Sequence, residues 1–261
     1  MFGFLVACGE YMSKLIEELE KVGTVQPTRM GFGVARPEEK SPNLLIVGII
    51  ESVTSKKISN SHLKHFVVCS DSLGPVQDFG DSILGVWPDK INAETIDSLA
   101  SGCADFIIIP SIETTSEIVS LEETSKFIVL TDLIPEDIYR SVEELPFDGI
   151  VLCGLENKQP ISIRDLMWIR SIRDVTSKPI LLSITKAMTY QELSIIRDVG
   201  MQGILLDLKT VKEKDLKSMA EHIKSMPVKK VTKESMSAIL PRASLAGSEA
   251  VPDELEDDEF D

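Results

Sequence analysis

Short runs of Val, Ile, Leu and Phe recur along this chain, each separated from the next by a mostly polar segment. Continuous apolar runs of this kind are typical of parallel strands that are buried on both faces. The segments between them are long enough for a helix and two loops, so the pattern predicts repeated strand-helix units. Eight runs are present: LLIVGII (44–50), HFVVCS (65–70), ILGVWP (83–88), DFIIIP (105–110), KFIVLT (126–131), DGIVLCG (148–154), PILLSI (179–184) and GILLDL (203–208).

Helix boundaries are most clearly marked in the second half of the chain. Two capping boxes are predicted, Thr189 with Glu192 and Thr210 with Glu213. The first half is weaker, since residues 51–65 and 71–81 carry little helical pattern, and an amino-terminal helix over about 13–22 is expected to cover that side of the sheet. Further boundary signals are Asn92 as an N-cap, Pro135 at a first helical position and Gly200 at a helix end.

Eight strand-helix units favour closure into a compact (β/α)8 barrel of the α/β class, with helices 1 and 2 weak or missing. The alternative is an open doubly wound sheet, which should show a glycine-rich phosphate turn after its first strand. GIIESVTS (48–55) has neither GxGxxG nor GxxxxGK[ST], so the open sheet is disfavoured. The domain prediction is a helical lead-in over 1–43, a barrel over 44–228 and a flexible linker with an acidic tail over 229–261.

The net charge of −15 argues against binding to nucleic acid or to an anionic membrane. The stretch SEAVPDELEDDEFD (248–261) holds eight acidic residues and no basic one, which predicts a disordered tail. Three roles are open for it: a solubilising end, a contact for a basic protein, or a docking peptide anchored by Phe260.

Cysteine usage and the first residues favour a cytoplasmic protein. Cys8, Cys69, Cys103 and Cys153 form no CxxC pair, and three of them lie in or beside apolar runs, as small core residues do. MFGFLVACGEYM (1–12) lacks a basic n-region and is too short to span a bilayer. Either Met12 is the true start, or residues 1–11 anchor the chain to a membrane or partner.

Three strand entries, SGCADFIIIPS (101–111), LPFDGIVLCG (145–154) and DVGMQGILLDL (198–208), resemble those of the ribulose-phosphate-binding and aldolase-type barrels. That group includes the indole-glycerol-phosphate and thiamine-phosphate synthases. The resemblance implies the barrel fold, and its phosphate-binding members imply glycine-rich loops after strands 7 and 8. This chain has SITKAMTY (183–190) and LDLKTVKE (206–213) there, without glycine.

The candidate catalytic residues are Lys209, Asp207, Lys186 and Asp132, all at the carboxyl ends of predicted strands, where barrels carry their active sites. Asp207 and Lys209 share strand parity, and a lysine beside carboxylates can move protons or hold an anion. The spelling D-x-K resembles the D-x-K-x-x-D motif of the orotidine-phosphate decarboxylase group, although Lys212 occupies its third position. The structural alternative is a salt bridge that closes strand 8 on strand 7.

Other chemistries find less support, and no cofactor or metal site is predicted. None of the histidines, His62, His65 and His222, lies at the carboxyl end of a predicted strand. The spacing of the carboxylates along the sequence does not support a Mg²⁺ site. A Schiff-base lysine is disfavoured because no predicted strand interior contains lysine. Cys153 has no base for nucleophilic catalysis, and a flavin would need the missing phosphate loop.

Two functions therefore remain open. The first is a lyase or isomerase that acts on a small anionic metabolite, phosphorylated or carboxylated, through the four candidate residues. The second is a noncatalytic barrel that serves as a scaffold or interaction module. The partners considered are that metabolite, a second copy of the chain, and a basic protein held by the acidic tail.

Overall fold

The computed structural model describes residues 13–23, 42–51, 63–70, 82–100, 104–121, 124–155, 158 and 160–227. All eight predicted strands are present and parallel: β1 Leu45–Ile50, β2 His65–Val68, β3 Ile83–Val86, β4 Phe106–Ile109, β5 Ser125–Thr131, β6 Gly149–Cys153, β7 Ile180–Ile184 and β8 Gly203–Asp207. They follow one another around a closed barrel in chain order. The predicted (β/α)8 fold is confirmed, and the open sheet is excluded because β8 pairs with β1 along their length.

The described residues include six α-helices: α1 Lys14–Lys21, α2 Ala93–Ala100, α3 Glu136–Glu144, α4 Ile163–Val175, α5 Tyr190–Val199 and α6 Glu213–Ser225. Helices α2 to α6 follow β3, β5, β6, β7 and β8, and a 3-10 turn, Ser116–Ser120, follows β4. The predictions of weak helices 1 and 2 and of a disordered tail concern residues 52–62, 71–81 and 229–261, which lie outside the described residues. No described helix has both the length and the apolar character needed to cross a bilayer.

The helix boundaries follow local chemistry at most of the predicted positions. Thr189 and Glu192 form the reciprocal capping box, and Gly200 ends α5 with φ 115°. The Thr95 amide donates to the Asn92 side chain at 2.8 Å. Pro135 is the N-cap of α3 rather than its first residue.

The second predicted capping box is wrong. Helix α6 has Lys212 as its N-cap, with no side-chain cap. The Thr210 hydroxyl is used elsewhere, since it donates to the Thr185 carbonyl at 2.5 Å and so joins the loops after β7 and β8.

Successive side chains of a strand lie on opposite faces of the sheet, and burial of both faces explains why each strand is a continuous apolar run. On β5, Phe127 and Val129 belong to the interior cluster, while Ile128 and Leu130 pack in the layer between the sheet and the helices. Both faces are therefore buried, as expected for a parallel barrel. Lys126 lies inside β5 rather than before it, with the outward parity, and its Nζ donates to the Leu121 carbonyl.

Two phenylalanines fill the middle of the barrel. Phe106 and Phe127 meet edge to face with ring centroids 5.5 Å apart. Each lies beside a glycine in the neighbouring strand, Gly85 for Phe106 and Gly149 for Phe127. A Cβ at either glycine would lie 2.3 Å from the ring, so large and small residues alternate to fill the space.

Helix α1 closes the amino-terminal end of the barrel. Its apolar residues Leu15, Ile16 and Leu19 are buried in the same cluster as the inward-facing strand residues. The expectation that this helix covers the sheet beside units 1 and 2 is therefore wrong. Sequence periodicity shows that a helix has an apolar face, but not which surface that face covers.

A buried carboxylate holds the start of this helix. Asp105, directly before β4, accepts hydrogen bonds from the Ser13 hydroxyl at 2.5 Å and from the Lys14 and Leu15 amides at 3.0 Å each. It satisfies amide donors that a helix start leaves without intrahelical partners and complements the positive end of the helix dipole.

A second contact joins α1 to β2. His65 Nε2 lies 2.7 Å from Glu18 Oε2 at the same end of the barrel. Burial lowers the pKa of His65, an effect that the Glu18 carboxylate opposes. Helix α1 is thus joined to two strands by polar contacts as well as by its apolar face.

We predict that Asp105→Ala lowers the free energy of unfolding by about 2–3 kcal/mol, because it leaves buried donors at the start of α1 without their charged acceptor. Urea unfolding followed by circular dichroism measures the loss. Glu20→Ala, on the exposed side of the same helix, is the control and should change stability by no more than about 0.5 kcal/mol. Equal stability of the two variants would show that Asp105 does not hold the helix.

We also predict that Gly149→Ala costs about 1–3 kcal/mol, since the new methyl group collides with the Phe127 ring. Phe127→Leu removes that collision at the cost of a smaller core side chain. The double variant should therefore lose less free energy of unfolding than the two single variants together, by about 0.5 kcal/mol or more. Strict additivity in a double-mutant cycle would contradict this packing.

Candidate functional site

The carboxyl ends of the strands form the mouth of the barrel. Ile49, Trp87 and Cys153 continue the inward-facing positions of β1, β3 and β6 and pack on the interior cluster, but they are only partly buried. The mouth therefore has an apolar floor that solvent reaches. Sites for small molecules commonly combine such a floor with a few polar groups.

Asp207 is the carboxylate that β8 brings to this floor. It lies opposite Ile49 in the strand register, shares the parity of the inward-facing Leu205, and is half-buried. Its Oδ1 accepts a hydrogen bond from the Lys209 amide at 2.8 Å. Its carbonyl oxygen accepts one from the Thr210 amide at 3.3 Å. These bonds form a local turn that sets the direction of the carboxylate.

The Lys209 side chain reaches the end of β1. Its Nζ forms an ion pair with the Glu51 carboxylate, directly after that strand. The pair therefore joins β8 to β1 rather than β8 to β7. Because both side chains are about half exposed, such a pair contributes no more than about 1 kcal/mol, and a ligand can take its place at little cost.

Asp132 belongs to a different part of the rim, three strands from β8. Its Oδ2 lies 2.7 Å from Lys158 Nζ, which follows β6. The Lys158 ammonium holds the pKa of Asp132 below its usual range. Gly154, with φ 101°, lies beside this carboxylate. A Cβ at Gly154 would lie 3.3 Å from Asp132 Oδ1, so the absence of a side chain leaves room for the carboxylate. Asp132 is thus part of a link between two loops.

Lys186 lies on the exposed connection between β7 and α5, directly after Thr185. The Thr185 carbonyl accepts the bond from Thr210 described above. This bond brings the loops that carry Lys186 and Lys209 side by side. The loops that carry Lys186 and Lys209 are therefore neighbours, while Asp132 lies three strands from β8.

Cys69 is a group that sequence reasoning placed in the core. It continues the inward parity of Val67 beyond β2 and is half-buried at the mouth. Burial raises the pKa of its thiol to about 11, and the carboxylates of Asp89 and Asp207 add to that rise. The thiol is therefore protonated at neutral pH and is a poor nucleophile there.

Strand parity is the sequence signal that identifies Cys69 and Trp87 as residues of the mouth. Each lies two or four positions beyond an inward-facing residue of a predicted strand, so the alternation of the strand predicts that it faces inward. This alternation does not predict that Cys69 lies close to Asp89 and Asp207, since their closeness depends on how β2, β3 and β8 meet.

The helices after β6 and β7 have their amino termini capped by their own side chains. Ser162 and Asp165 form a reciprocal capping box on α4, and Thr189 and Glu192 form one on α5. Each box occupies amide donors and places a carboxylate at the helix end. A phosphate would meet negative charge at these positions rather than an open set of amides.

Histidine has no described role at the mouth. His65 lies at the opposite end of the barrel, and His222 lies on α6 with its ring 5.9 Å from that of Tyr190. His62 lies outside the described residues. In the described part of the chain, no three His, Cys, Asp or Glu side chains come together as a metal-binding group.

The sequence matches no protein-family profile and no curated protein. Solved structures do resemble it. A mutant tryptophan synthase alpha-subunit from Pyrococcus furiosus aligns with TM-score 0.55 and 8% identity over 71% of this chain and 99% of that chain. A native KDPGal structure gives TM-score 0.51 and 14% identity over 69% of this chain and 93% of that chain.

An HpcH/HpaI aldolase from Desulfitobacterium hafniense DCB-2 gives TM-score 0.51 and 11% identity over 70% of this chain and 94% of that chain. At these identities the likeness establishes the fold alone. It confirms the fold-level resemblance to aldolase-type barrels that the three strand entries indicated.

We predict that alkylation of Cys69 by iodoacetamide, followed by peptide mass spectrometry, rises with pH through a midpoint of about 11 rather than 9.0. Asp207→Asn removes a neighbouring negative charge and should lower that midpoint. Glu221→Gln, an exposed charge change on α6, should leave it unchanged. A midpoint near 9.0 in the unchanged protein would contradict the burial of this thiol.

Proposed function

We propose that this protein is a lyase or isomerase of the (β/α)8 class that acts on a small carboxylated or phosphorylated metabolite at the barrel mouth. One observation carries the proposal: Asp207 is an inward-facing, half-buried carboxylate held by a local turn above an apolar floor. Proton-transfer groups need such a fixed direction and a partly dry surrounding.

Asp207 is the proton-transfer group in this proposal. Its carboxylate takes the proton from a hydroxyl-bearing substrate carbon next to a carbonyl group, and the C–H electron pair forms the double bond of an enediolate. The hydroxyl proton moves to the former carbonyl oxygen, and the Asp207 carboxyl group, whose proton exchanges with solvent, protonates the former carbonyl carbon. The carbonyl and hydroxyl groups thereby change places with atoms and charge conserved, so this is an isomerisation. The negative charge that develops on the carbonyl oxygen needs a nearby cation, and Lys209 and Lys186 are the cations on the adjoining loops.

The anionic end of the substrate is bound by lysine side chains rather than by a glycine-rich loop. The capping boxes of α4 and α5 disfavour a phosphate at those helix ends. Lys209 can exchange its exposed partner Glu51 for a substrate anion at small cost. This favours a carboxylate, which one ammonium group can bind, over a phosphate, which usually engages several donors. Asp132 has no part in this step, since it lies three strands away.

A noncatalytic barrel is the second candidate. It is favoured by the same capped helix ends and by the protonated state of Cys69, which leave few groups at the mouth for chemistry. In that case the eight-stranded barrel serves as a rigid support for contacts with another protein.

A thermal-shift screen against carboxylic-acid and phosphosugar metabolites separates the two candidates. A ligand at 100-fold excess over its Kd stabilises the folded protein by about 2.7 kcal/mol and should raise Tm by about 5 °C or more. Lys209→Ala should abolish the shift, and the control Glu221→Gln should retain it.

Asp207→Asn should retain ligand binding, because it keeps the shape of the side chain, but lose proton exchange. Transfer of solvent deuterium into the bound metabolite, followed by NMR, measures that exchange. Binding without exchange in the unchanged protein would exclude the isomerase mechanism. The absence of any stabilising ligand would favour the scaffold.

A further inference from the structure

The outward face of α4 carries large apolar side chains that the barrel does not cover. Ile163 is 77% exposed and Met167, one turn later, is 68% exposed. Leu133, in the turn after β5, is 88% exposed. These are the three most exposed large apolar residues in the described part of the chain, and they belong to consecutive strand-helix units.

Hydrogen bonds hold this surface in one arrangement. The Trp168 indole donates to the Tyr139 hydroxyl at 2.9 Å, and that hydroxyl donates to the Ile134 carbonyl at 2.9 Å. Trp168 adjoins Met167, and Ile134 adjoins Leu133 in the chain. The ion pair of Asp132 with Lys158 joins the same two loops. The backbone beneath the exposed side chains is therefore held in place, so it loses little further freedom when this surface binds a partner.

Charged pairs stand at both ends of the apolar residues. Asp132 and Lys158 lie at the upper end, near the start of α4. Arg170 and Asp174 lie further down the same helix, with their charged atoms 2.6 Å apart. Ile163, Met167, Arg170 and Asp174 follow helical spacing, so they share one face.

We propose that the α4 face, made of Leu133, Ile163 and Met167 with these two ion pairs, is the interface of a homodimer. A twofold axis between Ile163 and Met167 would place each of these residues against the other in the second copy. The upper ion pair of one copy would then meet the lower pair of its partner. An apolar centre between mixed charges is self-complementary, as a twofold interface must be.

Charge favours a second copy over other occupants. Two molecules with net charge −15 repel each other, so association requires a surface where the charges are locally balanced. The α4 face supplies this balance, since each acidic residue in it is paired with a basic one. An anionic membrane or a nucleic acid would need an excess of basic residues instead.

Sedimentation velocity of the full chain over about a hundredfold range of concentration tests the proposal. The unchanged protein should form a dimer that dissociates on dilution. Met167→Glu should raise the dimer Kd by about tenfold or more, because it places a carboxylate at the centre of the interface. At concentrations below the dimer Kd its melting curve should match that of the unchanged protein, since Met167 makes little contact within the monomer.

Leu145→Glu is the matched control. Leu145 is 46% exposed at the carboxyl end of α3, whereas Leu133 precedes the amino end of that helix. The variant therefore adds the same charge away from the α4 face. Its dimer Kd should equal that of the unchanged protein. A monomer at every concentration would overturn the proposal, as would a dimer that Met167→Glu leaves intact, or an equal loss in both variants.

Discussion

Closing eight parallel strands into a barrel buries both faces of each strand and leaves an interior of fixed size, which the inward-facing side chains must fill. Phe106 and Phe127 occupy the middle of that interior, and Gly85 and Gly149 leave the room that their rings need. Helix α1 fills the amino-terminal end. At the carboxyl end the packing stops at partly exposed side chains, which is why a binding surface can exist there.

The two ends of the barrel use polar groups differently. At the amino-terminal end they are buried or hydrogen-bonded several times: Asp105 accepts three bonds, and the Lys178 ammonium donates to the last carbonyls of α3, on Val142 and Leu145, at 2.6 Å each. At the mouth, ion pairs such as that of Lys209 are exposed. Loss of a buried hydrogen-bond partner costs more free energy of unfolding than loss of an exposed one. Polar groups at the amino-terminal end therefore contribute more to stability, whereas those at the mouth can exchange their partners for a ligand.

This division limits the chemistry that the mouth can perform. The carboxylates of Asp89 and Asp207, near the neutral thiol of Cys69, place negative charge beside β3 and β8. Lys209 and Lys186 bring positive charge on the loops after β7 and β8. In the proposed reaction, the substrate anion lies toward the lysines and the reacting carbon lies near Asp207. The α4 face lies outside this site, so the proposed dimerisation and the proposed catalysis can be tested separately.

The sequence by itself determined the strands, since burial on both faces leaves a continuous apolar run, and it determined helix ends such as Asn92 and Gly200, since capping involves residues close in the chain. It also placed Asp207 at a strand end. Only the tertiary structure decided which surface α1 covers, and that Lys209 pairs with Glu51, because such contacts join residues far apart in the chain and depend on how the strands meet on closure.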